Sequence, residues 1–426
     1  MRSFATQEEL IELVRDADEL IARGLGRCYG DSALGSTVIS TLRFKRILAF
    51  DDTTGQITCE AGVSLEELLE VFVPRGWFLP VTPGTKFVTV GGAIASDVHG
   101  KNHHLGGSIS NHILSMDVLL SNGSVETCSK EQNPELFWST CGGMGLTGII
   151  LRATFKMIRI ESSFIRQEMV KARNIDEIME IFEQSEEYTY SVAWIDCLSS
   201  GDRLGRSIMM RGEFANRDDL VATRKYQTPL QMPNKMKLNV PINFPNFVLN
   251  TYTVRGFNFL YYNKAPKGLS QSIVDYDTFF YPLDSINNWN RIYGKRGFTQ
   301  YQCVLPKEAS TEGMKSILRK ISLSGQGSFL AVLKLFGEQN DLISFPKRGY
   351  TLALDFAITP RVFELLDELD SVVLDCGGRL YLTKDVRMSP KMFHEGYPHA
   401  EQFIANKKQF DALKKFQSLQ SKRLHI

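Results

Sequence analysis

The chain lacks a strong net charge and any pairing pattern among its cysteines. Its 49 lysines and arginines face 48 aspartates and glutamates, so the formal net charge is +1. Such a balance gives no reason to expect a nucleic-acid partner. The seven cysteines are scattered, without a Cys-x-x-Cys pair. This usage indicates reduced thiols in a cytoplasmic protein, and it argues against a disulfide framework or a zinc site.

Long apolar runs are missing as well. The first residues contain no hydrophobic signal core, and no run of about 18 apolar residues, the length of a membrane-spanning helix, occurs. The chain nevertheless has 426 residues, of which 43% are hydrophobic. These values predict two or three globular domains with a sizeable core.

Glycine is concentrated in three loops that precede residue 150. The first loop spans residues 23–30, the second spans residues 83–92 and the third spans residues 141–148. Glycine lets the backbone turn sharply and present successive amide groups, which suits a loop that cradles a diphosphate. The sequence His-Gly-Lys-Asn-His-His follows the second loop at residues 99–104. The alternative, a plain glycine-rich connector, does not account for these polar side chains.

The third loop contains a dinucleotide fingerprint in the wrong context. Residues 143–148 read G-x-G-x-x-G, but this motif binds a pyrophosphate only where it follows a strand and opens a helix. Here a predicted helix over 135–140 precedes the loop, and a predicted strand region over 149–160 follows it. The inverted order argues against a Rossmann NAD site.

Local signals predict several other elements before residue 150. A cap at Thr6 opens a helix, and Ser64 caps another helix over 64–74. Strands are predicted at 38–42 and 56–60. Residues 115–120 and 124–128 read as a hairpin that turns at Asn122 and Gly123.

A basic and aromatic segment spans residues 221–270. It carries seven lysines and arginines, no acidic residue and many interleaved phenylalanines and tyrosines. Three interpretations stay open: a solvated surface loop, a site that captures an anionic substrate, and a contact with an anionic membrane surface. Prolines at 229, 233, 241 and 245 predict that the segment forms no single regular helix and is a loosely ordered lid.

The three loops, in this order, resemble the FAD-binding domain of the vanillyl-alcohol oxidase / p-cresol methylhydroxylase superfamily. Within it the chain is most similar to the decaprenylphosphoryl-β-D-ribose 2-oxidases. The motifs that carry this similarity lie at residues 22–31, 99–104, 136–138, 145–150, 289–291, 301–302, 334–337 and 377–385.

The resemblance implies an α+β architecture: a two-domain PCMH-type FAD-binding fold, made of two α+β subdomains, with a mixed-sheet substrate-binding domain. The expected FAD-binding domain covers residues 1–160. The substrate-binding domain covers 161–375 and includes the basic aromatic loop 221–270. A C-terminal segment, 376–426, returns to the FAD-binding domain.

The resemblance also implies a reaction, that of an FAD-dependent oxidoreductase acting on CH–OH groups. The 2-hydroxyl of a polyprenylphosphoryl pentose would be oxidised to a 2-keto sugar by hydride transfer to flavin N5. This is the first half of a 2′-epimerisation in cell-wall polysaccharide biosynthesis, and a separate NAD(P)H-dependent ketoreductase would complete it. The implied location is the cytoplasm or the inner face of the cytoplasmic membrane, in peripheral contact with anionic lipid.

Two other functions stay open. One is an FAD-dependent oxidase or dehydrogenase of a small soluble polyol or aldonolactone, and the basic aromatic segment argues against it. The other is a non-catalytic binding protein with the same fold. The presence of Tyr29, Lys101 and Lys384 argues against that second alternative.

Carried over onto this sequence, the resemblance implies catalytic roles for Lys384, Tyr29 and Lys101. A buried lysine can lose its proton near neutral pH or stabilise negative charge on a reduced flavin, whereas an isolated lysine is more often a surface charge. Ala353 stands where mycobacterial members have cysteine, so we expect it to affect fine specificity. The expected substrate-binding residues are Lys101, Trp194, Arg291, Gln300, Gln302, Ala353 and Lys384; several of these residue types are equally common in a packed core.

FAD is expected to bind without a covalent bond. Many superfamily members attach it through a histidine in the first loop, and Arg27 occupies that position here, followed by Cys28. No metal site is expected, because no carboxylate lies at ligand spacing from the histidines of the second loop. The expected FAD-binding residues are Arg23, Gly24, Leu25, Gly26, Arg27, Cys28, Tyr29, Pro83, Gly84, Thr85, Val88, Gly91, Gly92, Ser96, Val98, His99, Gly100, Gly143, Gly145, Gly148, Ile150 and Tyr381.

Overall fold

A computed structural model describes residues 1–232, 237–245, 247–266, 268–339, 342–411 and 414–426. The strands are β1 Ile21–Arg23, β2 Val38–Ser40, β3 Ile47–Asp51, β4 Gln56–Glu60, β5 Trp77–Phe78, β6 Ile113–Leu119, β7 Val125–Cys128, β8 Ile149–Lys156, β9 Ile158–Arg159, β10 Phe164–Ala172, β11 Tyr190–Ile195, β12 Ser207–Phe214, β13 Leu238–Asn239, β14 Ser270–Asp275, β15 Ile286–Asn287, β16 Phe298–Pro306, β17 Ala331–Phe336, β18 Gly349–Ala357 and β19 Arg379–Leu380. The helices are α1 Gln7–Asp16, α2 Leu65–Phe72, α3 Val90–Ala95, α4 His103–Gly106, α5 Pro134–Thr140, α6 Ile175–Glu183, α7 Thr251–Lys264, α8 Tyr276–Phe280, α9 Lys307–Ser324, α10 Pro360–Asp375, α11 Pro390–Gly396, α12 Ala400–Phe410 and α13 Leu419–Leu424.

The local predictions before residue 150 are confirmed. Thr6 caps α1, and Ser64 caps α2 through a capping box with Glu67. β6 and β7 form the predicted antiparallel hairpin. The third glycine loop runs from α5 to β8, so the helix-loop-strand order that excludes a Rossmann site is present.

A five-stranded antiparallel sheet lies in the first part of the chain, in the order β3-β4-β8-β6-β7. Its apolar face packs with α2, α3 and α5 into one core. Buried residues alternate along the second part of β8, from Leu151 to Lys156, whereas its first three residues are all buried because a second core covers the other face there. This packing fixes the ends of the second and third glycine loops.

An eight-stranded sheet follows, in the order β14-β10-β12-β11-β17-β18-β16-β19. The α+β class is confirmed, but the expectation of a mixed sheet is wrong, because every neighbouring pair is antiparallel. The reason lies in the crossovers. Helices α6, α9 and α10 each connect two strands between which a third strand is inserted, so the strands that run parallel are never neighbours.

The end of the chain packs against its beginning. Lys415 Nζ donates to the carbonyls of Val14 and Arg15, and Leu20 forms a parallel bridge with Phe416. Gln417 N donates to the Leu20 carbonyl. These contacts join the end of the chain to its beginning, and the predicted division into domains, with boundaries at residues 160 and 375 and a returning C-terminal segment, stays a prediction.

The basic aromatic segment 221–270 contains a 14-residue helix, α7. The prediction of a loosely ordered lid is wrong for this part, because the four prolines named above lie before Asn250, which caps α7, and the fifth proline of the segment, Pro266, follows the end of α7. Val254 and Asn258 lie one turn apart and are buried, and Asn258 Nδ2 donates to Asp196 Oδ1 at 2.7 Å. Residues 233–236, 246 and 267, which include Lys235 and Lys267, lie outside the described residues.

Within the described part of the chain, no helix is both long and apolar enough to cross a membrane.

Candidate active site

The three glycine loops meet at one place in the fold. The first loop joins β1 to β2, and a side chain at Gly24 would overlap Thr89 of the second loop. The third loop lies against α3, since Gly142 N donates to the Ile94 carbonyl and Met144 N to the Ala95 carbonyl, at 3.0 and 2.8 Å. The sequence signal of three separate loops therefore corresponds to one contiguous backbone surface.

His99 lies just after α3 and is 5% exposed. Gln302 Nε2 lies 3.1 Å from His99 Nε2, and the rings of Phe336 and Tyr381 lie 4.7 and 5.1 Å away. Burial, and then the charge of Lys334, hold the pKa of His99 well below its usual value. The imidazole is therefore neutral at physiological pH.

The loops and His99 fit a bound FAD. A side chain added at Gly84 would meet nothing within 4 Å, so this backbone faces open space that a diphosphate can approach. His99 Nδ1 is buried and has no hydrogen-bond partner among the described residues. A flavin ring with polar edges would supply a partner for such a group.

Lys384 lies in the helical turn that follows β19. Its Nζ is 3.9 Å from the centroid of the Tyr29 ring, so the first loop and the turn carrying Lys384 are in contact. Burial lowers the pKa of Lys384, and the charge of Asp355 partly opposes this shift. Burial likewise raises the pKa of Asp355, whose carboxylate accepts a hydrogen bond from Gln300. A proton can thus be held at either group near neutral pH.

Two further lysines belong to this cluster. Lys101 Nζ donates to the Phe279 carbonyl and lies 4.3 Å from the centroid of that ring. Burial, with a contribution from the charge of Lys334, lowers the pKa of Lys101 to about 7. Burial also lowers the pKa of Lys334, on β17, to about 8, and Lys384 adds to that shift. Three half-buried amines therefore influence one another in a small region.

Among the other predicted substrate residues, Gln302 contacts His99, whereas Trp194 and Arg291 donate to backbone carbonyls. Gln302 bonds both His99 and Thr351, and it pairs in register with Ala353 of β18. The Trp194 indole N–H donates to the Phe329 carbonyl at 3.0 Å. Arg291 donates to the carbonyls of Val240 and Pro241 at 3.1 and 2.7 Å, so it holds the chain near β13. Substrate contact by all of the predicted residues stays a prediction.

Sequence reasoning missed Lys334 and Asp355 as site residues. Each is a charged residue in a strand whose neighbours are almost all apolar, Ala331–Phe336 and Gly349–Ala357. A charge in such a strand indicates a buried functional group or an ion pair, so the signal was present. The partner of Asp355 could not be predicted from the sequence, because Asp355 lies opposite Gln300 only through the register of β16 and β18.

Arg423 of α13 joins the two loops that carry Tyr29 and Lys384. It bonds both carboxylate oxygens of Asp31, at 2.7 and 3.2 Å, and Asp385 Oδ2 at 2.9 Å. Tyr29 N also donates to the Thr383 carbonyl at 3.0 Å. A side chain at Gly30 would overlap the Asp385 carbonyl, so glycine is required for this approach. These contacts fix Tyr29 against Lys384.

Across the described residues, no group of three or more histidine, cysteine, aspartate or glutamate side chains is arranged to hold a metal ion.

Comparison with known proteins identifies the family of this chain. A family described as FAD binding domain matches residues 3–129. The chain is 41% identical to the decaprenylphosphoryl-beta-D-ribose oxidase of Mycolicibacterium smegmatis, over 100% of this chain and 94% of that protein. It is 27% identical to the D-arabinono-1,4-lactone oxidase of Yarrowia lipolytica over 36% of this chain and 31% of that protein. It is also 27% identical to the L-gulonolactone oxidase of Bos taurus, over 35% and 34%.

The first of these similarities extends over the whole chain, whereas the two lactone oxidases match about a third of it. The expected superfamily and the expected family within it are therefore confirmed, and the protein is an FAD-dependent oxidoreductase acting on CH–OH groups. The chain belongs to the decaprenylphosphoryl-β-D-ribose oxidase family.

Proposed function

We propose that this protein oxidises the 2-hydroxyl of a polyprenylphosphoryl pentose, of the decaprenylphosphoryl-β-D-ribose type, to the 2-keto sugar. The observation that carries the proposal is the contact between Lys384 and Tyr29 beside the glycine loops, next to a buried Asp355. This arrangement offers a base whose pKa is close to neutral, which is what removal of a hydroxyl proton requires. The full-length similarity supports the same reaction.

The proposed roles divide between two sets of residues. The glycine loops and His99 would hold FAD, which would supply the acceptor for the hydride of C2 of the sugar. Neutral Lys384 accepts the proton of the 2-hydroxyl at Nζ. The carboxylate of Asp355 stabilises the ammonium that forms. Lys101 and Lys334 attract the phosphate of the substrate, because both regain a full charge beside an anion.

A small neutral polyol or aldonolactone is the alternative substrate. The matches to lactone oxidases cover too little of the chain to carry it. In addition, such a substrate brings no negative charge to offset the positive charge of the half-buried amines of Lys101 and Lys334. The anionic lipid-linked sugar therefore accounts for more of the site.

An exposed surface beside α7 supports a peripheral contact with an anionic membrane. Leu238, Ile242 and Phe247 are 66%, 67% and 77% exposed. The side chains of Lys237, Arg255 and Lys264 are exposed in the same segment, which has no acidic residue. Apolar groups enter the lipid interface and cations attract its headgroups. The 2-keto product would then pass to a separate NAD(P)H-dependent ketoreductase.

Flavin bleaching tests the proposed function. The purified yellow protein, kept anaerobic, should lose its flavin absorbance within one turnover on addition of decaprenylphosphoryl ribose. Xylitol and an aldonolactone at the same concentration should leave the absorbance unchanged. Bleaching by the soluble compounds alone would assign the protein to the alternative, and absence of bleaching by every substrate would contradict an oxidase of CH–OH groups.

We also expect FAD to be released by acid precipitation. The first-loop position used for covalent attachment holds Arg27, whose Nε donates to the Phe87 carbonyl at 3.2 Å. A guanidinium in this position offers no nucleophile to the flavin. The yellow colour should therefore remain in the supernatant after precipitation, whereas colour retained in the washed pellet would show a covalent bond.

A further inference from the structure

An unbroken series of aromatic rings leads from Lys384 to α7. Tyr29 contacts Phe298, Phe298 contacts Tyr293, Tyr293 contacts Phe329 and Phe329 contacts Phe257, with centroid distances of 5.4, 4.6, 5.6 and 5.5 Å. These five rings are called the aromatic track below. They come from four separate regions of the sequence and from both the glycine-loop side and the eight-stranded sheet.

The aromatic track is only partly covered by protein. Tyr29, Phe298 and Phe329 are half-buried, and Phe257 at its far end is 43% exposed. Rings that serve only as core packing are usually fully buried, as Tyr293 is here. The other four rings each keep part of their apolar surface exposed, and buried Tyr293 stacks between Phe298 and Phe329 and links the two ends of the series.

The far end of the track is held in place by α7. Asn258, next to Phe257, is buried and bonds Asp196, and Thr251 Oγ1 donates to the Gly325 carbonyl at 2.7 Å. The Phe257 ring also stacks on Tyr261, at 5.8 Å. The exposed ring is thus fixed on a docked helix, which suits a binding surface that exists before the ligand arrives.

The two ends of the track differ in chemistry. One end is the amine cluster, which suits a sugar phosphate, and the other lies on the segment that carries exposed apolar and basic residues. An apolar chain attached to the sugar phosphate must leave the cluster along some surface, and burial of its CH₂ groups stabilises the complex wherever that surface is apolar. Flat aromatic rings provide such area at little cost in side-chain entropy.

We propose that the aromatic track is the binding site for the polyprenyl chain of a lipid-linked substrate, with Phe257 as the outermost contact. The inference rests on the proposed function, because it requires a substrate whose polar head reaches Lys384. The track then places the lipid tail between the reaction site and the surface of α7.

Chain-length dependence of the kinetics tests the inference. Anaerobic flavin reduction would be measured with farnesylphosphoryl ribose and with decaprenylphosphoryl ribose. Phe257→Ala should raise KM for the long-chain substrate roughly tenfold, since a buried phenylalanine contact is worth about one decade in affinity, and leave the rate at saturation unchanged. The KM for the short-chain substrate should change much less.

Phe259→Ala is the matched control. Phe259 is the same residue type on the same helix and is 56% exposed. It should leave both KM values unchanged, and the melting temperature and FAD content of both variants should match the parent. Equal losses for the two chain lengths in Phe257→Ala, or equal behaviour of the two variants, would overturn the inference.

Decaprenyl monophosphate, which has no sugar to oxidise, separates this inference from the proposed function. Its binding to the parent and to Phe257→Ala would be followed by quenching of protein fluorescence. Weaker binding to the variant, with no flavin reduction of the parent by either sugar substrate, would support the track and contradict the proposed reaction. If substrate reduces the parent flavin but Phe257→Ala changes neither the chain-length dependence nor the binding of decaprenyl monophosphate, the proposed reaction is supported and the aromatic track is contradicted.

Discussion

Lys384→Ala should slow anaerobic reduction of the flavin by substrate about 10²–10⁴-fold, the usual contribution of a general base. The variant loses the amine that lies against the Tyr29 ring and beside Asp355. FAD should stay bound, because the glycine loops and His99 do not depend on this side chain. Stopped-flow measurement of flavin bleaching would give the rate, and the visible spectrum would give the FAD content.

Lys391→Ala is the control for the loss of a lysine nearby in sequence. Its side chain is 76% exposed and faces only Glu395, at 3.8 Å, so the variant should reduce its flavin at the parental rate. An exposed ion pair of this kind contributes little to the free energy of unfolding. An unchanged reduction rate in Lys384→Ala would show that Lys384 is structural and that the base lies elsewhere.

The second large effect concerns pH. We expect kcat/KM for the lipid-linked substrate to stay nearly constant between about pH 7 and pH 8 and to fall at higher pH, because Lys101 must carry its proton to attract the phosphate. Between these values the loss of that proton is offset by deprotonation of the base Lys384, whose pKa is lowered to about 8. The pKa of Lys101 in the free protein is lowered to about 7. Loss of the proton from Lys334, whose pKa is about 8, should steepen the fall at higher pH.

The lowered pKa of Lys101 also predicts that the free energy of unfolding rises with pH. The unfolded chain holds the proton of Lys101 up to its ordinary pKa of about 10.4, whereas the folded chain releases it near pH 7. The unfolded state thus binds more protons between these values, so the contribution of Lys101 to the free energy of unfolding rises with pH across this window. Lys101→Met should remove this rise in stability, and kcat/KM of the variant should increase between about pH 7 and pH 8, because only the deprotonation of Lys384 then acts over that range. A variant profile with the same shape as the parental profile would contradict the assignment.

The parts of the fold that follow from short-range signals were predictable. Ser64 and Glu67 specify a capping box within four residues, and Asn122 and Gly123 specify the turn of a hairpin. The order of helix, loop and strand around the third glycine loop is equally local. These elements need no knowledge of the rest of the chain, because each one is stabilised by contacts within a few residues.

The parts of the fold and of the site that depend on pairing between distant residues could not be predicted from the sequence. The meeting of Asp355 with Gln300 needs the register of two strands, and the depth of Lys334 needs its position between β11 and β18. The prediction for α7 was wrong for a different reason. The capping residue Asn250 indicates the start of a helix, but the earlier prolines of the segment indicate an irregular loop, and the prediction followed the prolines. In the site, Lys384, Tyr29 and Lys101 came from the family resemblance, since an isolated lysine carries no signal of its burial.

The hydrogen bonds of Arg423 with Asp31 and Asp385 have a consequence for the order of folding during synthesis. Arg423 follows Asp31 by 392 residues, and it joins Asp31 to Asp385. During translation, the first glycine loop therefore leaves the ribosome long before the side chain that fixes it against Lys384. The contact between Tyr29 and Lys384 is therefore held in place only late in synthesis, after the chain has reached Arg423.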